Sequence, residues 1–586
     1  MNMTKGRRFC FSDFQYEERT RLYLASGHGD SRTGGFAYSD GEAAESYILK
    51  CVKESTDISD NSAELMSRAV NWTSFYHLGA GRSNILRALD LPKDARVLEL
   101  GAGCGSITRY LGENFRSVDS VEGSYFRARI ARERCRDLTN VKVFCANAGN
   151  IAPEPAYDIV ALIGVLEYAP LYFGKSGCAH LIELAGEALK QDGVLIIAIE
   201  NKIGLKYWSG CREDHTGKVY EGIHGYPLDG TPETFSRKEI TGLLRDKGYN
   251  EIGFYSCFPD YKFASTVLSD NGDEKDLYLH DWIDVPFRDY GARRQYAFHE
   301  GLAARTLAHA GLLREMANSF MVVAGRDFTH GACRADWAAK KFTMGGRRRE
   351  YWCVTTLKTE PESHVEKRKM YEGLSDENRT DALVRHTVED SSWLSGDILV
   401  FDIYEILSRC GGEQALEDLL KEYYEELIKR YFDGAVDAAG YRLLRGNALD
   451  FIFRNVIRHD GRVLPIDNEW VMNGPVPADY MLYRCALDIL NAQYPGIGRK
   501  VVDPDAFSIC LIKKIMPGYN KKRHRKNQKM ERALQEIIMT GIDVARLCGP
   551  TGVLIMKNRA VRAIARKAWG ILPRFLKKAV AGGSFR

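Results

Sequence analysis

Three glycines at alternate positions, Gly101, Gly103 and Gly105, stand in VLELGAGCGSITRYLGE between an apolar run and a helix-forming stretch. Such a turn lets backbone come close to a bound cofactor, because each missing Cβ removes a clash. Glu122 ends the next apolar run, 21 residues after Gly101, where a carboxylate can accept hydrogen bonds from two ribose hydroxyls. The spacing is G-x-G-x-G, with Glu99 just before it, and not the G-x-G-x-x-G that frees a helix N-terminus for a pyrophosphate. Asn147 and Ala148 follow the third apolar run, where a polar side chain or backbone N–H would meet the base of a nucleoside-type cofactor. Gly164 to Glu167 close the fourth, at the crevice where open α/β sheets bind ligands.

Groups that could move a proton come next. His215 and His224 lie in the irregular segment ENKIGLKYWSGCREDHTGKVYEGIHGYP, with Asp214 beside His215. A histidine next to an acid could act as base toward a sugar hydroxyl, though each reads equally as a structural residue in a turn. Glu167 has the same double reading, catalytic or capping, and His77 is a further candidate. Tyr76 and Arg82 could meet a cofactor carboxylate, the arginine through a bidentate pair. Further on, Asp450 and Asn455 have the D-x-x-x-x-N spacing of a kinase catalytic loop, with Asp467 twelve residues later in I-D-N-E-W. There Asp450 would accept the hydroxyl proton while Asn455 and Asp467 hold Mg²⁺ beside ATP. Against activity, Ala448 and Leu449 stand where a histidine is usual, and Gly345-Gly346 make a poor phosphate loop. Lys358 is the nearest nucleotide lysine, with PESHVEKRKM after it reading as a helix.

The elements that must position these groups alternate. Strands VLEL, SVDSVE, VKVFC, YDIVALI and GVLIIAI are separated by helical patterns, which implies a parallel sheet covered on both faces. EIGFYSCF and SFMVVAG, with a helix over ARRQYAFHEGLAARTLAHAGLL between them, form a late hairpin. The expected class is α/β: a Rossmann-like sheet, then an α+β kinase-like unit and a basic helical tail. The boundaries are an N-terminal extension at 1–60, a first domain at 61–327, a kinase-like domain at 335–510 and a tail at 511–586.

The 586 residues, 45% hydrophobic and 27% charged, suit a multidomain soluble protein. Fourteen scattered cysteines without C-x-x-C pairs read as free thiols of a reducing compartment. MNMTKGRRFCFSDF lacks the apolar core of a signal peptide, and VLIIAI is far short of the ~18 residues that span a bilayer. From Lys513 onward 19 basic residues face three acids, a net of +16 that leaves the remainder at −12. Val561, Ile564, Ala568, Leu572 and Phe575 recur at helical spacing among arginines, so an anionic membrane surface is the expected partner of the tail. Nucleic acid is disfavoured, because no stacking aromatics interleave with the charges. A cytoplasmic location, peripheral on the inner membrane face, follows as the expectation.

The run E-L-G-A-G with Glu122 resembles motif I of class I S-adenosylmethionine-dependent methyltransferases. Gly101 and Gly103 would then approach the amino-acid end of that cofactor. WTSFYHLGAGRSNILR, GVLEYA, EDHTGKVYEGIHGYP and FPDYK extend the resemblance to bacterial methyltransferases of surface-polysaccharide synthesis, including O-antigen chain-terminating methyltransferase–kinases. It covers roughly residues 60 to 490. It implies S-adenosylmethionine as cofactor, a glycan or glycolipid-linked acceptor and polysaccharide-synthesis proteins as partners. Two alternatives stay open: a small-molecule methyltransferase with an inert second domain, and a non-enzymatic membrane scaffold.

Overall fold

Alternate residues of the central strands belong to different cores, and that alternation builds the first half of the chain. Leu98, Leu100, Val160, Leu162, Leu195 and Ile197 pack on one face of the sheet. Val97, Ile159, Ala161, Val194 and Ile196 pack on the other. A strand buried on both faces must read as a continuous apolar run, as these do. The computed structural model describes residues 8–25, 39–228, 231–290, 294–326, 333–344, 346–372, 374, 383–409, 412–493, 501 and 503–541.

The strands are β1 (Phe14–Glu17), β2 (Leu22–Ala25), β3 (Arg96–Leu100), β4 (Ser117–Glu122), β5 (Val141–Cys145), β6 (Tyr157–Ile163) and β7 (Leu189–Glu200). Then come β8 (Glu251–Phe258), β9 (Thr266–Ser269), β10 (Ser319–Gly325), β11 (Trp337–Thr343), β12 (Cys353–Lys358) and β13 (His364–Lys369). With a two-residue strand, Ser391–Ser392, they make one sheet of order β1-β2-β5-β4-β3-β6-β7-β10-β8-β9-β11-β12-β13 and the short strand. The block β5-β4-β3-β6-β7 is parallel. Antiparallel β10 slots between β7 and β8, which is the closing hairpin expected from the sequence. Helices Ser106–Asn114, Tyr125–Arg134 and Gly177–Ala188 connect the parallel strands.

Several elements differ from expectation. β1 and β2 extend the sheet from within the N-terminal extension, β2 running parallel to β5. The sheet also continues past residue 327 through the β9–β11 pairing. Within the described part of the helix expected over 292–313, residues 294–313, only Glu300–His309 is helical, and the His299 ring caps it by accepting from the Leu302 N–H. PESHVEKRKM is not a helix. Despite its good helix formers, His364–Lys369 is a strand paired along the whole of β12.

Beyond the sheet, helices Val400–Ser408, Glu413–Tyr431, Ala478–Asn491, Pro504–Ile515 and Lys521–Ile538 enclose a separate core that includes Ile403, Leu420, Tyr423, Met481 and Ile512. Leu534 and Ile538 join it, so the basic cluster KKRHRKNQK sits on a helix packed against the second unit. The apolar stripe from Val561 to Phe575 lies outside the described residues. Among the described residues no helix is long and apolar enough to cross a membrane.

Candidate active site

A cavity of about 270 Å³ opens at the carboxyl ends of β3, β4 and β6. Tyr76, Arg82, Glu99, Gly101, Gly103, Glu122, Asn147, Ala148, Gly164, Glu167 and His215 all line it. His224 does not. It is exposed, so the proton-transfer candidate from the 202–235 insertion is His215 alone.

The glycine turn does two jobs. A Cβ on Gly101 (φ +88°) would stand 2.5 Å from Val165 Cγ2, whereas one on Gly103 (φ +54°) would meet nothing within 4 Å. Gly101 therefore serves close packing, and Gly103 is the position whose missing side chain leaves room for a ligand. Glu122 fastens this turn: Oε2 accepts from the Gly103 N–H at 2.7 Å and Oε1 from the Ser124 N–H at 2.8 Å. Each oxygen keeps a lone pair for a ribose hydroxyl. Burial raises the Glu122 pKa, with Arg127 and the two backbone bonds opposing it.

Glu99 is inward. Thr108 Oγ1 at 2.6 Å and Ser120 Oγ at 2.7 Å both donate to its Oε2, tying β3 to β4 and the following helix. Burial pushes its pKa up to about 7 against those bonds. Asn147 Oδ1 caps the next turn by accepting from the Gly149 N–H at 3.1 Å. Gly164 is demanded by packing, since a Cβ there would lie 2.5 Å from the Tyr261 hydroxyl. Arg82 donates to the Lys262 carbonyl at 2.8 Å and to the Tyr76 hydroxyl at 2.9 Å, and its guanidinium stacks 4.0 Å over the Tyr76 ring. Its buried Nε has no hydrogen-bond partner among the described residues.

His215 has a different partner from the one its neighbour suggests. Asp214 turns away to Lys206 Nζ and the Tyr207 hydroxyl, each at 2.6 Å. Glu213 Oε1 takes the His215 Nδ1 bond at 2.8 Å. Nε2 then points between Glu167 Oε1 at 3.6 Å and Glu200 Oε2 at 3.8 Å. Burial disfavours the imidazolium, but the three carboxylates outweigh it and hold the His215 pKa well above its ordinary value. The acid that orients the ring is therefore Glu213, not the Asp214 that stands beside it in sequence.

Sequence reasoning missed Asp40, Arg127 and Lys262, which also line the cavity. Asp40 Oδ2 meets His77 Nε2 at 2.8 Å and the Arg127 guanidinium at 2.9 Å, linking three remote segments. Burial pushes the His77 ring down to about 4 from 6.5. The folded state therefore takes up this proton only near pH 4, whereas the unfolded chain takes it up near 6.5. Above pH 6.5 the ring contributes nothing; below it the ring's own contribution turns destabilising, by about 2 kcal/mol at pH 5, against the opposite trend of the raised carboxyls Glu99 and Asp450. Urea unfolding at pH 7.5 and 5.0 isolates it as a difference: between those pH values His77→Asn should gain about 2 kcal/mol relative to the parent, and an equal pH dependence in both proteins would show that His77 makes no such contribution.

In the second unit, Asn455 Nδ2 approaches the Asp467 carbonyl at 3.4 Å. Asp450 is buried, and its Oδ2 accepts from the Glu469 and Trp470 N–H groups, both at 2.7 Å. Burial raises its pKa to about 7. That backbone duty competes with the proton-accepting role expected of it. Lys358 is at the surface on Asp336, 2.7 Å away, and is not the central lysine. Lys367 is, reaching from β13 to Asp467 and to Glu469 Oε1 at 2.6 Å. Arg347 completes the cluster at 2.8 Å from Glu469.

No protein-family model matches the sequence, and no curated protein matches it. Among solved structures it is similar to a methyltransferase from Thermotoga maritima described as a possible histamine N-methyltransferase. The identity is 18% over 42% of this chain and 88% of that one, with a TM-score of 0.26. It is also similar to an S-adenosylmethionine-dependent methyltransferase from Aquifex aeolicus, at 17% identity over 36% and 91% of the two chains, TM-score 0.24. A third is phosphoethanolamine N-methyltransferase 2 of Haemonchus contortus with S-adenosyl-L-methionine, at 13% identity over 52% and 61%, TM-score 0.29.

Proposed function

We propose that the chain is an S-adenosylmethionine-dependent methyltransferase acting on a glycan or glycolipid-linked acceptor. The observation that carries the cofactor assignment is the turn at Gly103, open to the cavity and fastened by Glu122. Glu122 would hold the ribose, Arg82 the amino-acid carboxylate, and Asn147 with Ala148 the adenine. The bound cofactor supplies an electrophilic methyl group. Orienting the acceptor oxygen in line with that methyl contributes much of the rate. Glu167 and His215 are the polar groups that meet the acceptor at the β6 end of the cavity. The glycan class follows from the sequence resemblance. Mass spectrometry of envelope glycans with and without the protein tests it: one methyl per chain should vanish, and identical spectra would reject a glycan acceptor.

The cluster of Lys367, Asp467 and Asn455 favours a second activity, binding of Mg²⁺–ATP by the kinase-like unit. Lys367 would meet phosphate oxygens, and Asp467 with Asn455 offers the hard oxygen ligands Mg²⁺ prefers. Mg²⁺–ATP should then raise the melting temperature by several degrees, and Lys367→Met or Asp467→Asn should abolish that shift. Absence of any shift in the unaltered protein would make this unit a scaffold.

A further inference from the structure

Glu167, Glu200 and His215 come together from three segments at the carboxyl ends of β6 and β7, with one ligand-type atom from each inside 4.8 Å of the others. Glu167 and Glu200 are fully buried. Both oxygens of Glu167 and Oε2 of Glu200 have no hydrogen-bond partner among the described residues. Buried carboxylate oxygens without donors are costly, so three in one place call for a ligand. The other oxygen of Glu200 is already held by Lys262.

Charge points the same way. Glu167, Glu200, Glu213, Asp214 and Asp260 face two ammonium groups, Lys206 and Lys262, and the His215 ring. Negative charge is in excess whichever form the imidazole takes. The surroundings of His215 complete the pattern. Glu213 lies 2.8 Å from Nδ1, which leaves Nε2 as the ring atom turned toward the two carboxylates and able to ligate once an arriving cation displaces its proton. A carboxylate that holds a histidine ring from behind commonly orients it as a metal ligand.

We propose that Glu167, Glu200 and His215 bind one divalent cation of the Mn²⁺ or Zn²⁺ type at the inner end of the cavity. One imidazole and two carboxylates suit these borderline ions better than the all-oxygen set preferred by Mg²⁺. Ligand atoms about 2.1 Å from a shared ion stand roughly 3 to 3.5 Å apart, so the observed 3.6 and 3.8 Å need close only by tenths of an ångström. Glu167 and His215 also line the cavity, so the ion would have open positions facing it. Resting on the methyltransferase reading, the ion's role would be to bind the acceptor hydroxyl and lower its pKa, making the oxygen nucleophilic near neutral pH.

The test needs no cofactor. The full chain carrying Asp467→Asn, which removes the carboxylate offered to Mg²⁺–ATP, is stripped with chelator and titrated with Mn²⁺ alone by electron paramagnetic resonance. A parallel titration uses Zn²⁺ in a calorimeter. One ion per chain is expected, with affinity falling about 10- to 100-fold in Glu167→Gln and in His215→Ala. The near-isosteric Glu167→Gln guards against misfolding, and its melting temperature without metal should match or exceed that of the parent. No binding of either ion below 1 mM, on the order of −4 kcal/mol, overturns the proposal, as does binding that both substitutions leave unchanged. S-adenosylmethionine affinity is measured separately, so failure of the cofactor reading and failure of the metal site are distinguishable.

Discussion

Gly103→Asn should weaken S-adenosylmethionine binding at least a hundredfold, about 2.7 kcal/mol, while the protein stays folded. Asparagine is chosen because it tolerates the left-handed backbone that φ +54° at this position demands. Its side chain would project into space where a Cβ meets nothing within 4 Å, so the fold has no reason to object. The cofactor does, because the same space is where its amino-acid end must pass. Gly101→Val makes the contrast. There the Cβ would collide with Val165 at 2.5 Å, on a backbone at φ +88° that a β-branched residue avoids. Overpacking and strain together should cost several kcal/mol, so loss of binding in that variant would report on folding. Calorimetry paired with thermal melts reads both. Wild-type affinity in a folded Gly103→Asn protein would mean that the cofactor does not occupy this turn.

What the sequence made legible here was local. The turn at 101–105 announces itself because glycine spacing and a preceding apolar run are properties of one short segment. The parallel strands follow for the same reason, since burial on both faces leaves uninterrupted apolar runs. Non-local pairing was not legible. Nothing near Arg127 says that it meets Asp40, 87 residues earlier in the chain. His215 misled because Asp214 is its neighbour in sequence, while the turn sends Asp214 to Lys206 and brings Glu213 onto the ring. Lys367 was hidden by composition: a charged strand such as HVEKRK has the residues of a helix, and only its pairing with β12 shows it to be a strand. Sequence likewise does not show that, of the basic residues at 521–529, Arg523 is buried while Lys521, Lys522, Arg525, Lys526 and Lys529 are exposed.

Arg523 shows what that cluster does within the fold, and Arg523→Met should destabilise the second unit by about 3 to 5 kcal/mol. Its Nε and one terminal nitrogen donate to the two oxygens of Asp479 at 2.6 and 2.7 Å, while the other terminal nitrogen reaches Asp437 at 2.6 Å. The Asp479 side chain is 0% exposed and Arg523 only 7%, so water cannot replace the guanidinium. Methionine keeps much of the packing volume but leaves a buried carboxylate with Asn527 Nδ2, at 2.8 Å, as its remaining side-chain donor. The neighbouring Lys522 and Lys526 are exposed, and changing both to glutamine should alter stability by less than about 0.5 kcal/mol each. A second substitution separates lost packing from a stranded charge. If the charge is the cause, adding Asp479→Leu to Arg523→Met should restore much of the loss, because an apolar pair can replace a buried ion pair. Urea unfolding of the four variants gives the answer. A stable Arg523→Met protein would mean that the helix at 521–538 is held by its apolar face alone, freeing its whole basic face to meet an anionic partner.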